Sequence, residues 1–159
     1  MEPENIKIKN LLKTVTDLTS CLQASSEVDF YFFSRVHKIL ETFTAKDWES
    51  LKTELPKWNE KQLNVLVQTL DEGDGLNNRI NDNFFIGYIF TLSPDNLAIT
   101  IFYNILDYFF DENEITSIEL INSIENRINK LYENKYINEE ATYTFWINKI
   151  AEARKKAIC

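Results

Sequence analysis

Residues 44–73 run TAKDWESLKTELPKWNEKQLNVLVQTLDEG, and this stretch decides the fold. Thr44 with Asp47 three residues later is a helix-opening pair, a hydroxyl for the first free N–H groups and a carboxylate that reaches back. Trp48, Leu51 and Leu55 then mark one face of a helix that Pro56 ends, because proline lacks the N–H that the next turn needs. Asn59 starts a second helix, which carries Leu63, Leu66, Val67 and Leu70 and stops at Gly73, a common left-handed helix exit. The spacing predicts an αα-hairpin.

The same grammar extends in both directions. Upstream, Ile8, Leu11, Leu12, Val15, Leu18 and Leu22 recur at three- and four-residue steps, predicting a helix from about Asn5 to Gln23. After Ser25-Ser26, a serine cap at Ser26 followed by Glu27 and Asp29 opens a helix that carries Phe30, Phe33, Val36, His37 and Leu40 towards Phe43. Downstream of the polar stretch 71–78, a helix from about Arg79 to Leu92 is followed by Ser93-Pro94, a cap with a first-turn proline, and the next helix runs to about Phe110. Thr116 with Glu119 reads as a capping box for a helix bearing Ile118, Ile121, Ile124, Ile128 and Leu131. Asn138 caps a last helix with Tyr143, Trp146, Ile147 and Ile150. With three glycines and three prolines in 159 residues, little material is left for β turns. The expectation is an all-α protein of about eight antiparallel helices, in a compact bundle or a short HEAT-like stack of helical hairpins. Its length suits a single domain over residues 1–159, able to bury roughly 70% of its unfolded surface.

Charge is distributed unevenly. Between Arg79 and Arg127 there is no lysine or arginine, while Asp82, Asp95, Asp107, Asp111, Glu112, Glu114, Glu119 and Glu125 all fall there, within a chain of net charge −8. A one-signed field steers and selects partners, and this one repels phosphate backbones, so a basic protein partner is expected and direct nucleic-acid binding is not. The stretch from Tyr108 through Phe110 to Asp111, Glu112 and Glu114 combines aromatics with acids at a predicted helix end. Carboxylates oppose the helix dipole there, which points to retention for something other than stability. Asp71, Glu72, Asp74, Asp82, Asp107, Asp111, Glu112 and Glu114 are the candidate contact surface, with Tyr108 or Phe110 as apolar anchors.

Catalytic and cofactor signatures do not emerge. His37 is the single histidine and has no recognisable orienting set, and no glycine-flanked serine or cysteine–histidine motif occurs. One His with Cys21 and Cys159 cannot form a structural zinc site, and two cysteines define no disulfide framework. Asp71-Glu72-Gly73-Asp74-Gly75 lacks the alternating ligands and closing glutamate of a calcium loop. Gly73, Gly75 and Gly87 make no phosphate cradle. No enzyme activity and no cofactor are expected. Residues Met1–Asn10 lack the apolar core of a secretory signal, and the apolar run from Phe84 to Phe110 is interrupted by Ser93-Pro94-Asp95-Asn96, so a cytoplasmic protein without membrane insertion is expected.

Four motifs carry a family likeness: Asp47-Trp48-x-x-Leu51, Leu55-Pro56-x-Trp58, Leu70-Asp71-Glu72-Gly73 and Ile89-Phe90-x-Leu92-x-Pro94-Asp95. In these the chain resembles bacterial immunity proteins encoded beside polymorphic or contact-dependent toxins, over about residues 41 to 110. The resemblance implies a stoichiometric inhibitor that binds a cognate toxin domain and blocks its active site or substrate-access surface, with no catalytic residue of its own. Two other classes fit the composition: a helical adaptor or regulatory subunit with an apolar contact groove, and a helical enzyme with Asp82, Asp107 and Asp111 around a divalent ion.

Overall fold

The computed structural model describes residues 5–21, 29–71, 79–106, 110 and 117–158. The chain is all-α: the described residues form eight α-helices and one 3-10 turn, with no strand among them. The helices are α1 (Ile6–Cys21), α2 (Asp29–Leu40), α3 (Ala45–Glu54), α4 (Glu60–Asp71), α5 (Arg79–Leu92), α6 (Asp95–Asn104), α7 (Ile118–Glu133) and α8 (Glu140–Ile158), with the 3-10 turn at Leu55–Lys57. The chain separates into two compact units, Met1–Asp82 and Asn83–Cys159, and the boundary falls in the first turn of α5.

In the first unit α1 is the central element and packs on α2, α3 and α4, while α2 also meets α4. Its inward positions are those of the heptad-like spacing: Leu11 and Val15 are fully enclosed, as are Val36 of α2, Leu51 of α3 and Val65, Leu66 and Val67 of α4. The arms of the hairpin predicted for residues 44–73 thus find a shared partner in α1. Pro56 sits in the 3-10 turn, and Leu55 and Trp58 on either side of it are buried, which redirects the chain between the two helices. His37 on α2 donates its Nε2–H to the Thr69 carbonyl of α4 at 2.7 Å, so the single histidine ties two helices together.

Local capping follows the side-chain chemistry. The Asn5 carboxamide oxygen accepts from the Lys7 and Ile8 N–H groups at 3.0 and 3.2 Å and caps α1. Thr44 and Asp47 form the reciprocal box that the sequence predicts, with Thr44 N donating to Asp47 Oδ2 at 2.8 Å and Asp47 N donating to Thr44 Oγ1 at 3.3 Å. Asn59 and Gln62 form a second such box, each accepting the other's N–H at 2.9 Å.

In the second unit α7 and α8 pack together. Its enclosed side chains include Ile89 and Phe90 of α5, Ile101 of α6, Ile121, Ile124 and Ile128 of α7 and Ile150 of α8. Four predicted boundaries shift here. Ser93 does not cap α6: its hydroxyl turns back to the Ile89 carbonyl at 2.6 Å, and Pro94 takes the N-cap position, its own carbonyl accepting the Ala98 N–H at 2.8 Å. The cap of α7 is Ser117, whose oxygen accepts the Leu120 N–H at 3.2 Å, so a one-sided cap one residue later stands in place of the box expected between Thr116 and Glu119. The last helix begins at Glu140, two residues beyond the expected Asn138 cap. Further, α6 closes at Asn104, well before Phe110, because Ile105 leaves helical geometry at φ −129°. The caps predicted at Ser26 and Gly73 lie outside the described residues.

The exit of α7 is a full Schellman turn. Tyr136 N donates to the Leu131 carbonyl at 2.9 Å and Lys135 N to that of Tyr132 at 3.1 Å. Lys135 stands at the left-handed position, with φ 66°, where glycine is the usual occupant.

Candidate partner-binding surface

Of the ten residues predicted to meet a partner, two are described with their side chains. Asp71 is the exposed last residue of α4, in the first unit. Phe110 is half-buried in the second unit, its ring 5.6 Å from that of Trp146 and edge-on to it. Asp82 belongs to the first turn of α5. Glu72, Asp74, Asp107, Tyr108, Asp111, Glu112 and Glu114 lie outside the described residues.

Around Phe110 the second unit builds an aromatic array that the sequence reading did not single out. Trp146 is its hub. This α8 side chain is 5% exposed and lies 4.9 Å from the Phe102 ring of α6, itself 2% exposed. Two partners of these buried rings point outward: Tyr103, 55% exposed and 4.9 Å from Phe102, and Phe145, 59% exposed and 6.2 Å from Trp146. The Lys149 ammonium lies over the rings of Trp146, Phe145 and Phe110 at 5.3, 5.7 and 6.0 Å. A signal for the outward pair was present. On a helix, residue 145 is turned by about 100° from residue 146, so Trp146 and Ile150 fixed inward leave Phe145 off the apolar stripe. Tyr103 stands in the same relation to Phe102.

Charged clusters elsewhere hold elements together. Asp47 is 8% exposed, yet it accepts from Thr44 N, from Asn5 Nδ2 at 3.0 Å and from Lys7 Nζ at 3.0 Å. The Thr44 backbone N–H, then the Asn5 amide, then Lys7 hold its carboxyl well below the usual carboxylate range. Lys7 also donates to the Thr42 carbonyl at 2.6 Å. In the second unit Arg127 of α7 pairs with Asp95 at 3.0 Å and donates to the Ser93 carbonyl, joining α7 to the α5–α6 corner. Arg154 of α8 bonds Glu125 at 2.7 Å and Asn122 at 3.0 Å. Tyr132 and Tyr143 stack at 4.1 Å with planes 8° apart, and the Tyr143 hydroxyl donates to Asn129 Oδ1 at 2.5 Å. Burial pushes the Tyr88 hydroxyl up from its ordinary value; its ring stacks on Phe84 at 6.0 Å.

No group of three or more His, Cys, Asp or Glu side chains among the described residues is placed to hold a metal ion. Likewise, no helix among them is long and apolar enough to cross a membrane. Compared with protein-family models, curated proteins and solved structures, the chain matches none.

Proposed function

We propose that this protein is an immunity-type inhibitor that binds and neutralises a basic toxin domain, one that acts on nucleic acid, through an acidic surface. One observation carries the reading: eight acids and no lysine or arginine between Arg79 and Arg127. Enzymes that grip nucleic acid present basic surfaces to phosphates, and an acidic inhibitor both occupies such a surface and reaches it quickly. Speed matters against a lethal enzyme. The likeness of residues 41 to 110 to immunity proteins supports the same class, and such an inhibitor needs no catalytic group.

Co-expression with the product of the adjacent reading frame tests this. Host survival and a co-purified complex that weakens as salt rises are the expected results. Reversing Asp71, Glu72, Asp74, Asp82, Asp107, Asp111, Glu112 and Glu114 to lysine should slow association by on the order of tenfold or more. An unchanged association rate refutes the electrostatic reading. A complex that persists unchanged at about 1 M salt, where screening is nearly complete, identifies a helical adaptor with an apolar contact surface instead.

A further inference from the structure

We infer that the outward stripe of α8 formed by Phe145, Lys149, Glu152 and Lys156 is a contact for the same stripe of a second copy of this chain, the two helices meeting antiparallel across a twofold axis. The inference does not depend on the function proposed above. A charged outer helix face is ordinarily only solvated, and single exposed apolar residues are common. This stripe differs in carrying an exposed ring within a pattern that complements itself. Phe145 is 59% exposed, Glu152 and Lys156 are exposed, and Lys149 is half-buried. At about 100° and about 1.5 Å per residue, the four positions fall within about 60° of one another and span about 16 Å of helix.

Charge complementarity selects the occupant. The steps from Phe145 to Lys149, to Glu152 and to Lys156 are the same read from either end. A twofold axis midway between residues 150 and 151 therefore sets Lys149 level with Glu152 of the other copy and Phe145 level with Lys156 of the other copy, and each pairing occurs twice. These are an ion pair and a cation over an aromatic ring. Parallel helices would instead oppose Lys149 to Lys149 and Glu152 to Glu152. The remaining cations lie aside: Arg154 is held by Glu125 at 2.7 Å, and Lys155 is turned about 80° from Phe145.

The groups are also available and held in place. Glu152 and Lys156 stand four residues apart in the order that favours a pair within the helix, yet among the described residues neither enters an ion pair. The Phe145 ring lies edge-on to the buried Trp146 at 6.2 Å and under the Lys149 ammonium at 5.7 Å, so it loses little further freedom on contact. One helix pair buries less than the roughly 1,600 Å² of a standard interface, and a net charge of −8 opposes approach. The dimer is therefore weak, with a dissociation constant on the order of 100 µM at about 0.15 M salt, where charges beyond about 8 Å are screened.

Sedimentation equilibrium of the full chain from about 10 µM to about 1 mM tests this. E152K alone and K149E alone each oppose like charges twice and should weaken the dimer at least about tenfold. An equimolar mixture of the two restores both ion pairs and should dimerise within about threefold of wild type. F145S, at a position more than half exposed, should keep the wild-type melting temperature and weaken the dimer by about tenfold. A wild-type chain that stays monomeric throughout overturns the inference. So does a dimer that folded E152K and F145S leave unchanged, or a mixture of two folded variants no tighter than either alone. Should K149E not fold, E152K and F145S decide the matter. If the wild type is monomeric and F145S weakens the complex with the product of the adjacent reading frame, the stripe belongs to that partner and the self-interface is overturned.

Discussion

Replacing Asp47 by asparagine is the sharpest probe of what holds the first unit together. The substitution keeps shape and removes charge, and the local geometry decides its cost. Asp47 Oδ2 accepts the Thr44 N–H at 2.8 Å and Lys7 Nζ at 3.0 Å, while Oδ1 accepts the Asn5 amide at 3.0 Å. An asparagine offers one oxygen, so its amide nitrogen must face either Thr44 N or Asn5 Nδ2. Asn5 cannot turn its carboxamide to compensate, because its oxygen already caps α1 through the Lys7 and Ile8 N–H groups. One buried donor is therefore left opposed by another. Lys7 is 40% exposed, so loss of its ion pair is screened and contributes less than about 1 kcal/mol. The weakened cap and the opposed donors each cost about 1 kcal/mol. The expected destabilisation of D47N is about 2 kcal/mol at pH 7, or a melting temperature lower by roughly 4–8 °C.

The pH dependence supplies an independent check. The folded carboxyl sits below its ordinary value of 3.8, so the unfolded chain takes up the proton first as pH falls. Stabilisation by the carboxylate is complete above that value and is lost progressively below it. The gap between wild type and D47N should therefore be constant from neutral pH to about pH 5 and shrink below 3.8. Urea unfolding followed by circular dichroism, with Trp48 fluorescence reporting locally, measures both quantities. A neutral-pH difference under about 0.5 kcal/mol, or a gap that stays constant below pH 3.8, refutes the assignment of Asp47 as the tie between α1 and α3.

Two further outcomes concern the second unit. K135G should stabilise the protein by about 0.5–1 kcal/mol, because lysine carries a steric cost at φ 66° that glycine does not; an unchanged or lower unfolding midpoint in urea counts against a strained exit turn. Y143F keeps the ring stack on Tyr132 and loses the hydroxyl bond to Asn129, an expected cost of about 1 kcal/mol, and Y143A should cost more than twice as much; equal losses would show that the stack contributes nothing.

Helix chemistry was legible where the deciding partner lies within one turn. Thr44 with Asp47, Asn59 with Gln62, and Asn5 before Ile6 all behave as short-range rules require, and Leu11, Val15, Leu51 and Leu66 are buried as their spacing predicts. The rules failed where a hydroxyl had a second partner or a second hydroxyl stood beside it. Ser93 has a free hydroxyl beside a proline, a good cap on paper, but the Ile89 carbonyl one turn back takes it. At the start of α7 two hydroxyls stand side by side in the sequence, and the second, Ser117, is the cap.

What the sequence by itself determined is the helical class, most of the inward-facing stripe and the concentration of negative charge between Arg79 and Arg127, because each depends on residue type and on a period of three to four. Only the tertiary structure decided that Asp47, beyond capping α3, is met by Asn5 and Lys7 from more than 39 residues away. It also decided that Arg127 closes on Asp95 and Ser93, and that Tyr103 stands outward beside the buried Phe102 and Phe145 beside the buried Trp146. Those pairings follow from which helix faces meet, and helix periodicity places a residue on a face without saying what that face will touch.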